Sequence, residues 1–180
     1  PIVDNNLYTN MLTKKMMEFT LKMKSILEEK YPSKLKELME KCDVDEEEFK
    51  RWDKISKNMY LAYSKKHEIY LQDDNFLNKD PLDVDSIPVE KLPLLTNLHP
   101  LNLWRYQVIK QADIVLLTFL ESQEFTLEMR KKIFDFYEPK TIHDSSLSSN
   151  TYSIVACDIG YYDEAYGYLK QAARMDLDNV

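Results

Sequence analysis

Trp104-Arg105-Tyr106-Gln107-Val108-Ile109-Lys110-Gln111-Ala112-Asp113 and Tyr137-Glu138-Pro139-Lys140-Thr141-Ile142-His143-Asp144-Ser145-Ser146-Leu147-Ser148 mark the two ends of one revealing stretch of this chain. Neither end follows the pattern of an ordinary amphipathic helix. Lys110, Gln111 and Asp113 stand directly before the apolar run Ile114 to Leu120. A helix that is apolar nearly all round belongs in a core. His143 to Ser148 gathers an imidazole, a carboxylate and three hydroxyls just ahead of another helical pattern. Two polar clusters, each preceding an apolar helix, describe one rim of a helical bundle.

The flanking sequence supplies that bundle. Leu12, Met16, Phe19, Met23 and Ile26 step by four and three, which predicts one inward face of a first helix starting near Asn5 or Asn6. Pro32 ends that helix and starts a second, with Leu35, Leu38, Met39 and Cys42 on its apolar side. Asp45 and Glu48 form a capping-box pattern before a third helix carrying Phe49, Trp52, Ile55 and Met59. Periodicity then fails from Ser64 to Pro100, where Pro81, Pro88, Pro93 and Pro100 fall, so a long connection is expected. Helical pattern resumes at Leu101. Thr126 is placed to cap a helix through Ile133 and Phe136 that stops before Pro139. Ser145 or Ser146 is placed to cap a helix with Tyr152, Val155 and Ile159, which Gly160 ends. Asp163 is expected to cap a last helix with Tyr166, Leu169 and Ala173 inward. The reading is all-α, roughly eight helices with no convincing strand.

Composition agrees and excludes several functions. Of 180 residues, only two are Gly, too few for a Gly-rich nucleotide loop and unlike a hairpin-rich sheet fold. A net charge of −7 with no basic stripe argues against nucleic acid as a partner. Cys42 and Cys157 are too few for a metal site or a disulfide framework, and are expected to be reduced core residues of a cytoplasmic protein. No apolar run is long enough to predict a membrane span.

Lys110 and Gln111 offer a cation and an amide, donors and acceptors that suit a polyhydroxylated ligand; the alternative is a solvated helix start. His143, Ser145 and Ser146 before a helix could cradle an anion, or Asp144 and Ser145 could simply cap it. His67 and His99 have no clustered partners and are expected to be structural or surface residues.

Three ordered segments carry a family resemblance: Lys110 to Leu117, Phe136-Tyr137-Glu138-Pro139, and Thr141 to Ser148. With Val3 to Asn10 at one end and Ala165 to Leu177 at the other, they resemble the disaccharide phosphorylases of glycoside hydrolase family 65, which act on maltose, trehalose, kojibiose or nigerose. The resemblance implies that residues 1–180 are the second half of a catalytic (α/α)6 barrel, truncated at both ends. It implies an inverting reaction in which a disaccharide and inorganic phosphate give β-glucose 1-phosphate and a free sugar. It places the general-acid Glu upstream of Pro1, so no catalytic residue is expected in this chain and the chain alone is expected to be inactive. It assigns Lys110 and Gln111 to the sugar; His143, Ser145 and Ser146 are the candidates for the phosphate side, and no metal or cofactor is expected beyond inorganic phosphate as co-substrate. A departure falls at Asp74-Asn75-Phe76, where the family often carries Asp-Gly-Phe. A half barrel leaves apolar faces without partners, so a homo-oligomer is expected. A trehalase-like hydrolase would need a second carboxylate in place of the phosphate cradle. A helical-repeat adaptor is suggested only by Tyr162 to Ala173, and no second copy recurs at the tetratricopeptide spacing.

Overall fold

Asn6 starts the first helix by accepting a hydrogen bond from the Thr9 backbone N–H (3.0 Å), satisfying one of the donors a helix start leaves unpaired. The computed structural model describes residues 3–83, 86–88, 94–143, 146–175 and 177, with 95, 96 and 146 described by backbone alone. Its contacts divide the chain into two compact units, 5–61 and 1–4 with 62–180.

The smaller unit holds α1 (Leu7–Lys30), α2 (Pro32–Cys42) and α3 (Glu46–Lys57). Pro32 occupies the first turn of α2, where its missing N–H costs nothing. At the end of α2, Asp43 adopts φ 53° and the Val44 N–H bonds back to the Met39 carbonyl (3.0 Å). This is a Schellman ending with Asp in the usual glycine position. Asp45 then caps α3 by accepting from the Glu48 N–H (2.8 Å), as its spacing predicts. Lys24 of α1 reaches Glu28 (3.2 Å) and Glu46 (3.1 Å), tying α1 to the acidic first turn of α3. Those two carboxylates raise its pKa.

The expected inward stripe of α1 is not closed over: Met16 and Phe19 are each 63% exposed. Ile55 and both cysteines are exposed as well, correcting the core assignment of Cys42 and Cys157. Periodicity identifies which residues share a face; it does not supply the partner that buries them.

The larger unit contains a hairpin, β1 (Tyr63–Ser64) and β2 (Ile69–Tyr70), paired antiparallel with Tyr63 opposite Tyr70 and Ser64 opposite Ile69. The sequence gives no alternating run of useful length here, so an expectation without strands misses it. Then come single-turn α4 (Leu94–Asn97) and α5 (Pro100–Leu103), followed by α6 (Asp113–Leu120), α7 (Leu127–Tyr137), α8 (Ser146–Ile159) and α9 (Tyr162–Arg174). His99 caps α5 through its ring nitrogen, a structural role. Apart from the hairpin, the described elements are helical.

The core of this unit lies among α6, α7 and α8. Ile114, Val115 and Leu117 from α6 meet Ile133, Phe134 and Tyr137 from α7 and Tyr152, Val155 and Ile159 from α8, all nearly inaccessible. Each such side chain contributes about 2 kcal/mol by leaving water. Arg130 links α7 to Asp158 of α8 and to the carbonyl of Ser122 (3.2 Å).

Gly160 adopts φ 89° and closes α8, with the Tyr161 N–H on the Ala156 carbonyl (2.8 Å). That ending starts α9 at Tyr162 with Tyr161 at its cap, so Asp163 lies within the first turn and does not cap it. The buried face of α9 is also one residue away from the expected one. Ala165 is buried, Ser153 of α8 donates to the Ala165 carbonyl (2.8 Å), and Tyr166 and Leu169 are 69% and 52% exposed.

Candidate functional site

Three non-helical segments run side by side at the start of α6. Asp80 and Tyr106 form a parallel bridge, and Ile109 and Thr141 form another. In the second, the Ile109 N–H donates to the Lys140 carbonyl (2.9 Å) and the Ile142 N–H donates to the Ile109 carbonyl (3.1 Å). Lys110 and Gln111 follow directly on one side of this bridge, and His143 on the other. Both Lys110 and Gln111 are exposed, at the entry to α6. The bridge thus sets Lys110 and Gln111 next to the segment that leads into His143, more than thirty positions away in sequence.

The segment beside them is fixed from below. Asp73, wholly buried, accepts from the Asn75 N–H (2.9 Å) and from Lys79 Nζ (2.9 Å). Gln107 donates to the Lys79 carbonyl (2.9 Å). Tyr137 from α7 accepts from the Gln72 N–H (2.9 Å) and donates to the Tyr70 carbonyl (3.3 Å). Burial drives the Tyr137 pKa upward, which keeps the phenol protonated and able to donate. Asp74 donates its N–H to the Asp4 carbonyl (3.2 Å), joining this loop to the opening residues. Asn75 has φ −101°, a value open to any residue, so the loop does not need glycine at that position.

His143 sits in an aromatic box. Its Nδ1 lies 2.8 Å from Ser148 Oγ in the first turn of α8. Tyr152 meets the ring edge-on at 4.8 Å, and Tyr168 of α9 covers a face at 5.0 Å with a 35° tilt. Tyr152 is itself locked, its hydroxyl 2.6 Å from Thr141 Oγ1. The Tyr168 hydroxyl donates to Glu138. Burial keeps the imidazole neutral, lowering its pKa from 6.5 to about 4. The residue has φ 48°, a left-handed conformation that costs a residue with a Cβ about 1–3 kcal/mol and that concentrates at functional positions.

Nε2 of His143 is shielded from water and has no hydrogen-bond partner among the described residues; Ser149 Oγ, also buried, shares that condition. A buried polar atom left this way costs free energy until a partner arrives. When Ser148 donates to Nδ1, Nε2 carries the proton and requires an acceptor. Ser145, like Asp144, lies outside the described residues, and Ser146 is described only as the first residue of α8.

Ser148, Tyr168 and Glu138 were not singled out by sequence reasoning. Glu138 and Ser148 lie inside the quoted motifs, but nothing in their spacing shows that they act on one ring. Tyr168 lies 25 residues beyond His143 and meets it only because α8 and α9 fold back on each other. Among the described residues no cluster of His, Cys, Asp and Glu could hold a metal ion, and no helix is long and apolar enough to cross a membrane.

Comparison with known proteins gives this geometry a context. The profile of the glycosyl hydrolase family 65 central catalytic domain matches residues 1–180. An α,α-trehalose phosphorylase of Thermoanaerobacter brockii is 46% identical over 178 residues, covering 99% of this chain and 23% of the relative. A maltose phosphorylase of Bacillus subtilis is 36% identical, covering 98% and 22%. A solved structure from the human microbiome assigned as a kojibiose phosphorylase superposes with a TM-score of 0.86 at 29% identity, covering 99% of this chain and 23% of that one. The chain therefore spans under a quarter of the length of these relatives.

Proposed function

The chain belongs to glycosyl hydrolase family 65, and from that premise we propose that it supplies the sugar-gripping and phosphate-binding rim of an inverting α-glucoside phosphorylase. The whole enzyme converts a disaccharide and phosphate to β-glucose 1-phosphate and a free sugar. Its catalytic domain is an (α/α)6 barrel, of which these helices form a part. One observation carries the reading: the bridge between Ile109 and Thr141 sets Lys110 and Gln111 beside the segment that bears His143.

The chemistry follows from what each group offers. An α-glucosidic bond breaks through an oxocarbenium-like transition state, with a carboxylic acid protonating the departing oxygen. Phosphate is already an anionic nucleophile, so attack at the anomeric carbon from the opposite face needs a holder and not a base. The reaction then inverts α to β. Lys110 and Gln111 bind sugar hydroxyls as donors and acceptor. His143, as a neutral imidazole with Nε2–H, donates to a phosphate oxygen. Ser145, Ser146 and the N-terminal N–H groups of α8 complete the cradle.

Identity of 46% to a trehalose phosphorylase against 36% to a maltose phosphorylase makes α,α-trehalose the disaccharide to test first. A full-length enzyme carrying this segment is expected to turn over trehalose only when inorganic phosphate is supplied. Equal glucose release without phosphate would indicate a hydrolase and defeat the reading.

A further inference from the structure

The ring plane of His143 decides where Nε2 sits, and three contacts among the described residues bear on that plane. Two come from α8, the Ser148 hydroxyl and the Tyr152 edge. The third comes from α9: Tyr168 lies across a face of the imidazole, with its ring also 5.5 Å from that of Tyr152. Tyr168 is only partly buried, so packing alone does not fix it. Its hydroxyl is anchored on Glu138, in the 3-10 turn Glu138–Lys140 that ends just before Thr141. The anchor therefore runs from α9 back to the base of the segment that carries His143. Because His143 holds a left-handed backbone conformation outside any helix, its own secondary structure does little to orient the ring.

We propose that Tyr168 and Glu138 are positioning residues for phosphate use: their hydrogen bond holds the Tyr168 ring against His143, keeping Nδ1 on Ser148 and reserving Nε2 for a phosphate oxygen. The proposal rests on the assignment of His143 to phosphate. It assigns to Glu138 a role as acceptor for a tyrosine hydroxyl, distinct from proton transfer to the sugar. The neighbouring wall, Tyr152, has its own anchor on Thr141 and stays in place when Tyr168 is loosened.

The test is steady-state kinetics of a full-length enzyme carrying this segment, varying phosphate and trehalose separately. Tyr168→Phe and Glu138→Ala are each expected to raise KM for phosphate about five- to tenfold, the scale of one lost hydrogen bond and the order it imposes. KM for trehalose should stay within about twofold, a split that general destabilisation would not produce. Glu138→Gln keeps an acceptor oxygen and should restore phosphate KM to near the parent value. His143→Ala is the reference and should raise phosphate KM more than either. If Tyr168→Phe and Glu138→Ala leave phosphate KM unchanged while His143→Ala raises it, the clamp is refuted and the phosphate assignment stands. If His143→Ala also leaves it unchanged, the assignment of His143 falls and the clamp falls with it.

Discussion

Ile109 and Thr141 pair in a parallel bridge, and that pairing joins the entry to α6 with the loop that leads into α8. Lys110 lies next to one partner and His143 two residues beyond the other. Lys110→Ala in a full-length enzyme is expected to raise KM for the disaccharide about ten- to a hundredfold, since a charge-assisted hydrogen bond contributes about 1.5–3 kcal/mol. KM for phosphate should move less. Measuring both constants checks this, and unchanged disaccharide kinetics would remove Lys110 from the site.

His143 carries a stability consequence that depends on pH. Its pKa is about 4 in the folded chain and 6.5 ordinarily. Above 6.5 the ring is neutral in both states and the full stabilisation is present. As pH falls from 6.5 towards 4, the unfolded chain takes up a proton that the folded chain refuses, so stability is lost across that window. Urea midpoints at pH 7 and pH 4.5 should separate more for the parent chain than for His143→Asn. An equal drop in both would show that other groups control the acid limb.

Asp73 anchors the loop beneath the rim through Lys79 and the Asn75 N–H. Asp73→Asn leaves the lysine charge, itself only 15% exposed at its side chain, without its partner. The expected loss is about 3 kcal/mol. Asp73→Asn combined with Lys79→Met should recover part of it, because the stranded charge is gone. Denaturant titration of the single and double variants reads both values.

The two glycines should respond to alanine with opposite signs. Gly160 holds φ 89°, so Gly160→Ala is expected to cost about 1 kcal/mol although no atom lies within 4 Å of the added methyl. Gly167 lies inside α9 with equally open space, and Gly167→Ala should stabilise by about 0.8 kcal/mol. Thermal melts of the two variants decide the matter.

What could be read from the sequence was whatever a short range of residues determines. The helix start near Asn6, the caps at Asp45 and Thr126, the break at Pro32 and the left-handed turn at Gly160 depend on neighbours within a few positions, and each appears where expected. The pairing of the Lys110 and His143 segments was suggested only by two polar clusters preceding apolar helices. Its mechanism, a backbone bridge, has no side-chain signature. The buried face of α9 was misplaced by one residue because Tyr166 and Leu169 are as apolar as the Tyr168 that turns inward. What selects Tyr168 is the imidazole it covers and the Glu138 it bonds, both distant in sequence. Nothing in the local sequence marks Asp73 for burial, since burial of a carboxylate depends on a lysine brought to it by the folded loop.

The most direct measurement is a crystal structure of a full-length enzyme carrying this segment, with glucose and phosphate bound. The account predicts phosphate oxygen within hydrogen-bond distance of His143 Nε2, and sugar hydroxyls against Lys110 and Gln111 in the same cavity. Phosphate bound elsewhere, with the His143 ring still closed off among its tyrosines, would contradict it.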